Sequence, residues 1–257
     1  MTKSLKRGLE ETAEAARRLG FDVVPFEITE EEFNEANDAF MLMASNNSSS
    51  EMMVQSMKKG GETFLGPIGS LLLTREAGWL KRKLIDFVLY YVLNNKRQHR
   101  IMKNLRVMDF NTLELKLKER YDFVDRFSKK WRDSGITVLL MPQFPTPAIK
   151  LENVGPMGLM LHYSVMQNIT GFPAGVFPVT KVRADEQDFS DAYGDAWTKF
   201  TQHDVKDSEG LPVSIQMIGY SYEDEQVLGL MKVLSKEIGY KLDLFEDELS
   251  KYKLDLF

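Results

Sequence analysis

The 257-residue sequence predicts an α/β fold, a mixed twisted sheet with helices on both faces. Three observations predict it. Twice an amphipathic helical pattern stops at a glycine and runs into a short apolar strand: Leu5 to Leu19, Gly20, then Phe21 to Phe26; and 112–134, Gly135, then Ile136 to Met141. Each is half of a βαβ unit, which seldom opens a chain without a preceding strand. Third, two apolar runs are broken by Pro and Gly, Tyr163 to Thr180 (YSVMQNITGFPAGVFPVT) and Gly210 to Gly219 (GLPVSIQMIG). Pro173 and Pro178 cannot donate ladder hydrogen bonds and bar a regular central strand there. Such a stretch fits a wall beside a binding site, because glycine lets a backbone approach closely.

Composition narrows the classes. Charge of 28% and apolar content of 43% are ordinary for a globular chain of one large or two small domains. The chain has no cysteine, which excludes disulfides and thiolate chemistry and fits a reducing, intracellular compartment. His99, His162 and His203 show no ligand spacing, so neither a metal site nor a cofactor is expected. The N-terminal twenty residues contain no apolar core of a signal peptide.

In chain order, Leu5, Leu9, Ala13, Ala16 and Leu19 define the first helix, with Gly20 at its C′ position. The opening reads as an entry into the middle of a fold. Thr29 and Glu32 form a capping box for a helix to about Met43. Residues 45–63 read as a loop with a short helical piece, and Asn46 to Ser50 as a solvated loop cluster.

Residues 68–106 stand apart in charge. From Arg75 to Arg106 nine Lys or Arg face two acids, a local +7 that leaves the remainder at −12. Leu71 to Leu73, Trp79-Leu80 and Leu84 to Leu93 supply the apolar bulk, interrupted by Lys81-Arg82-Lys83. The pattern suits two buried helices with a solvated basic edge, or two helices lying on a membrane surface. The apolar run is too short to span a bilayer. The acidic remainder argues against nucleic acid.

Leu113, Leu117, Tyr121, Val124, Phe127 and Trp131 predict the apolar face of a long helix. Pro142 to Pro147 then leaves the strand as a rigid loop, either lining a crevice where open α/β sheets bind ligands or serving as a plain Pro-rich turn. Residues 183–209 read as a polar excursion around Tyr193-Gly194-Asp195-Ala196-Trp197. Ser221 and Asp224 are the expected caps of a last helix bearing Val227, Met231, Leu234 and Ile238. Tyr240-Lys-Leu-Asp-Leu-Phe245 is repeated as Tyr252 to Phe257, too short a duplication for a solenoid.

The runs N-x-T-G-x-P-A, F-P-A-G-V-F-P-V-T-x-V, Y-G-D-x-W and G-L-P-V-x-x-Q-x-I-G together resemble the C-terminal part of the amidase signature enzymes, and among them the fatty acid amide hydrolases. Matching positions run from about Leu9 to Ile238; Phe172–Val182 with Gly194, Asp195 and Trp197 is the specific part. The resemblance implies that 1–257 is a partial amidase signature domain. It implies that 68–106 is a membrane-cap insertion, with Trp79, Lys81, Arg82 and Lys83 at the lipid. It also implies that Leu161, Val165 and Trp197 line an acyl channel. The family hydrolyses amides with a lysine and two serines, the serines in a Gly/Ser-rich signature that this sequence lacks. Ser164 and Ser214 lie where the family places no catalytic group. The expectation is therefore no catalytic residue in this chain, no hydrolysis by it alone, and a peripheral membrane location. A missing N-terminal half or another protein partner is expected to cover the open half-sheet. The alternative is a non-catalytic structural or lipid-binding subunit of a larger assembly.

Overall fold

The computed structural model describes residues 1–46, 48–62, 77–103, 105, 107–157, 160 and 162–241. Its frame is a three-stranded sheet in the order β1-β3-β2, formed by β1 (Val138–Met141), β2 (Ala174–Lys181) and β3 (Pro212–Gly219). Both pairings are antiparallel, with Val138 opposite Gly219 and Ala174 opposite Ile218. β3 is central and buried on both sides. Val213, Ile215 and Met217 point to one face, and Gln216 and Ile218 to the other, as the period of two requires.

Helices cover both faces, as the sequence predicts. On the first face α1 (Lys3–Arg18) and α9 (Asp224–Ile238) close a core of Leu5, Ala15, Val213, Ile215, Met217 and Leu234. The glycine at position 8 lets α1 settle on β3, since a Cβ there would come within 2.9 Å of a Val213 methyl. On the second face α2 (Glu30–Asn46), α6 (Phe110–Ser134) and α7 (His162–Thr170) pack Phe123, Phe127, Trp131, Val165 and Ile169 against Leu139, Met141 and Ile218. A third cluster joins Met41, Ile101, Leu105, Met157, Met160 and Trp197. It ties α5 (Lys96–Lys103) and α8 (Ala196–Val205) to the body.

The local signals explain most boundaries. Gly20 and Gly135 have φ of 87° and 66°, so they end α1 and α6 in the left-handed conformation that side chains resist. At α2 the Thr29 amide donates to Glu32 Oε2 at 2.7 Å and the Glu32 amide donates to Thr29 Oγ1 at 3.2 Å, the predicted capping box. The prolines of β2 are tolerated because β2 lies at the sheet edge, with Pro173 before it and a register shift between Pro178 and Thr180.

Four expectations are corrected. Phe21 to Phe26 is irregular chain and not a strand, since it joins no ladder among the described residues. The helical piece expected within 45–63 is Ser48–Lys59, α3, so Ser48 to Ser50 are helical and not a loop cluster, and Asn46 belongs to the end of α2. Tyr121 is 59% exposed, because the buried stripe of α6 runs through Phe123, Phe127 and Trp131 instead. The N-cap of α9 is Glu223 without a side-chain bond, since the turn closed by the Glu223 amide on the Tyr220 carbonyl takes up Ser221. Leu71 to Leu73, Arg75, Arg106, Leu161 and the second hexapeptide Tyr252–Phe257 lie outside the described residues.

Candidate functional site

Two junctions carry the sequence's distinctive residues. The first lies where β3, α7 and the loop after β1 meet. Gln216 is 1% exposed, yet its amide is well satisfied. Its Nε2 donates to the carbonyls of Pro142 (3.1 Å) and Tyr163 (2.8 Å), and its Oε1 accepts from Gln167 Nε2 at 3.0 Å. One glutamine thus fixes the Pro142 to Pro147 loop and the start of α7 onto the central strand. Ser164 completes the joint, its hydroxyl donating to the Gln143 carbonyl at 2.8 Å. That bond makes Ser164 a brace between α7 and the loop after β1. Burial raises the Tyr163 phenol above its ordinary value.

The second junction holds the basic segment. α4 (Trp79–Phe87) continues through one π-turn at Val88–Val92, and α5 begins at an Asn95 cap. From α5 the Arg97 guanidinium reaches the loop before α8. Its Nε donates to Asp195 Oδ2 at 2.8 Å and its Nη2 to Asp195 Oδ1 at 2.5 Å, with Asp191 Oδ2 at 3.2 Å. The guanidinium lies over Tyr193 at 4.3 Å and Trp197 at 5.7 Å. Asp195 is at the same time the N-cap of α8, accepting from the Thr198 amide at 3.0 Å. Burial alone pushes the Asp195 carboxyl up; the bond from Arg97, the Thr198 amide and the Arg97 charge outweigh it, and the net direction is down. Arg97 mirrors this. Burial pushes it down, and Asp195 and Asp191 bring it above its ordinary value. The Tyr-Gly-Asp-x-Trp motif is thus a clamp, with Gly194 in the turn, Asp195 as anchor and Trp197 as the buried stake.

What the clamp holds is an exposed apolar surface. Trp79 is 70% exposed, Leu80 73%, Leu84 62%, Tyr91 71% and Val92 63%. Lys81 and Lys83 stand among them in solvent, and the Lys83 ammonium lies 4.6 Å from the Trp79 ring centre. Arg82 differs: it is half-buried and donates from Nη2 to the Leu105 carbonyl, tying α4 to the body. No helix of the described residues is long and apolar enough to cross a membrane.

Of the three residues expected at an acyl channel, Leu161 lies outside the described residues. Val165 is buried in the cluster between α2, α6 and the sheet, and Trp197 in the third cluster. Phe40 packs against both clusters and joins them. Neither Val165 nor Trp197 lines the cleft of about 310 Å³ between α2 and α6, whose walls mix Ala39, Leu42 and Phe123 with charged groups, Glu35 being paired to Arg126. A second cleft, of about 810 Å³, lies along β1 and is apolar. Sequence reasoning placed Asp195 and Gln216 in motifs without giving them roles, and it gave Arg97 no part. The spacing from Asp195 to Thr198 was a helix-cap signal in plain view.

The family model for amidases matches residues 1–228. This chain belongs to the amidase family. Pig (Sus scrofa) fatty-acid amide hydrolase 1 is 26% identical over 240 residues, covering 91% of this chain and 40% of the pig protein. An amidase of Gibberella moniliformis (strain M3125 / FGSC 7600) is 31% identical over 116 residues, 45% of this chain and 19% of its own. Among solved structures, a fatty acid amide hydrolase superposes with a TM-score of 0.66 at 15% identity, covering 93% of this chain and 38% of that one. A 6-aminohexanoate cyclic dimer hydrolase complexed with substrate follows at 0.51 and 13%, covering 91% and 41%. These likenesses establish the amidase fold. The amidase chain here spans about 40% of the length of the pig relative.

Proposed function

We propose that these residues form the acyl-channel wall and the membrane-contacting cap of a lipid-amide hydrolase, working at the surface of an intracellular membrane. The observation that carries this reading is the cap surface, where Trp79, Leu80, Leu84 and Tyr91 are each more than 60% exposed beside two solvent-facing lysines. Exposed aromatic and aliphatic side chains ringed by cations match the interfacial layer of a bilayer. In this reading the clusters of Val165 and Trp197, joined by Phe40, back the acyl channel from the core side.

Hydrolysis would need a serine activated by a base and oxyanion donors facing the carbonyl. Ser164 and Ser208 each give their proton to a backbone carbonyl, so neither is set up for attack. The two serines and the lysine of the family mechanism would come from polypeptide outside these 257 residues, and this chain alone would turn over no amide.

The test is flotation with vesicles of zwitterionic and anionic lipid. Binding to the anionic vesicles is expected, weakening with salt, because each basic residue at the surface contributes about 1 kcal/mol. Lys81→Glu with Lys83→Glu should reduce it at least about tenfold; Arg82 is left intact because it braces the fold. Equal binding by the double variant would remove the membrane reading. A fluorophosphonate probe checks the second part: stoichiometric labelling of one serine in the isolated chain would overturn the absence of activity.

A further inference from the structure

The cleft between α2 and α6 contains one cation that the fold leaves without a counter-charge. The acids of its walls are all engaged. Glu35 pairs with Arg126 and Asp38 with Arg100 at 3.1 Å; Glu119 pairs with Lys116 at 2.7 Å and Asp122 with Lys118 at 3.4 Å. Arg120 stands in the same wall and pairs with no carboxylate among the described residues. A guanidinium carries five N–H donors. In Arg120 the Nη2 donates to the Ile169 carbonyl at 3.0 Å, and the Nε is buried with no hydrogen-bond partner. The guanidinium lies over the Tyr121 ring, 5.3 Å from its centre. Tyr121 and Ile169 hold the group in place, so the cation is set before any ligand arrives.

The surroundings select a ligand by charge and by polarity. Four acids on the walls face five cations, Lys116, Arg120 and Arg126 on the walls and Arg100 and Lys118 bonded to wall acids; the surplus is the one charge of Arg120. A monoanion balances that surplus, whereas a dianion would leave a second charge facing four carboxylates. Arginine and carboxylate match in geometry, through two parallel N–H···O bonds. Beside the charges stand Ala39, Leu42, Met108 and Phe123, which supply apolar wall for a hydrocarbon. The volume of about 310 Å³ is at the lower end for ligand clefts, so the hydrocarbon is short.

We propose that this cleft binds a monocarboxylate with a short apolar tail, the carboxylate on the Nη edge of Arg120 and the tail along Leu42 and Phe123. The covered Nε leaves the Nη edge as the one to meet the ligand. Neither Val165 nor Trp197 is in the walls, and neither are the exposed residues of α4, so the site is distinct from the acyl-channel clusters and the cap. The proposal is independent of the membrane reading.

Calorimetric titration of the full chain with octanoate tests it, with octanol, octylammonium and inorganic phosphate as the other titrants. Octanoate is expected to bind at a single site, at least about tenfold tighter than the others. Arg120→Gln should weaken octanoate at least about tenfold, and Arg120→Lys less, since lysine keeps the charge without the fork. Arg120 also braces the last turn of α7, so a second variant leaves it in place. Ala39→Leu fills part of the cleft and should weaken octanoate with the Ile169 bond intact. Octanol bound as tightly as octanoate would overturn the proposal, because the charge would then have no part. Displacement of octanoate by an equal concentration of phosphate would do the same, as would unchanged affinity in both Arg120→Gln and Ala39→Leu. Affinity lost instead in Lys81→Glu with Lys83→Glu would put octanoate on the cap and refute the site.

Discussion

The body and the cap use the same kinds of side chain in opposite ways. Around β3 the large apolar residues are closed off, with Ile215 and Met217 at 0% exposure. In α4 and its π-turn, side chains of equal hydrophobicity stand in solvent, Leu80 at 73% and Tyr91 at 71%. Burial stabilises a fold by roughly 25 cal/mol per Å², so the cap gives up stability that the body collects. Polar contacts help to keep it in place, Arg97 on Asp195 and Arg82 on the Leu105 carbonyl, beside the apolar cluster of Ile101, Leu105 and Trp197. A surface that stays apolar while being held by charges is suited to meeting something else apolar.

This contrast can be broken from the body outward. Trp197 is 0% exposed at the point where clamp and core meet, and Trp197→Ala should cost about 3–5 kcal/mol by denaturant titration. A loss below about 1 kcal/mol would mean that the third cluster is not load-sharing with the rest. Next comes the ion pair. Arg97→Ala leaves Asp195, a side chain 3% exposed, without its cation. About 3 kcal/mol should be lost, with protease cleavage rising between 79 and 103 before it rises in the sheet.

The same pair gives a pH signature. The folded Asp195 carboxyl lies below its ordinary value, so its contribution is complete above the unfolded value of about 3.9 and fades as pH falls through the lower folded one. Acid should therefore release the cap first, starting below about pH 4; in Asp195→Asn that acid step should be absent. The smallest effect tests the frame alone. Thr29→Ala removes one half of the α2 capping box and should cost about 1 kcal/mol, with no change in cap protection.

How far the sequence could be read follows from the range of the forces. Gly20, Gly135 and the Thr29/Glu32 box were legible because each acts within one helical turn. The α/β class was legible from helix–glycine–strand units, although Phe21 to Phe26 was not, since a strand exists only with a neighbour and none is written into the residues themselves. The stripe of α6 was misjudged at Tyr121 because Leu and Tyr at helical spacing do not reveal which of two faces meets the sheet. The site was legible as motifs and illegible as roles. Gln216 and Pro142 are 74 residues apart, and Arg97 and Asp195 are 98 apart. Only the fold brings either pair within bonding distance.

The placement of α1 has a consequence in time. Gly8 lies against Val213, and the Arg7 Nε bonds to Glu186 Oε1 at 2.6 Å across 179 residues of sequence. α1 is therefore synthesised well before β3, the strand it packs on. At about 5–20 residues per second that interval is roughly 10–40 s, during which the α1 side that meets β3 is without it. Contacts of such separation also slow folding once synthesis is complete. The β3-facing side of α1 is thus a surface that a chaperone would meet during that interval.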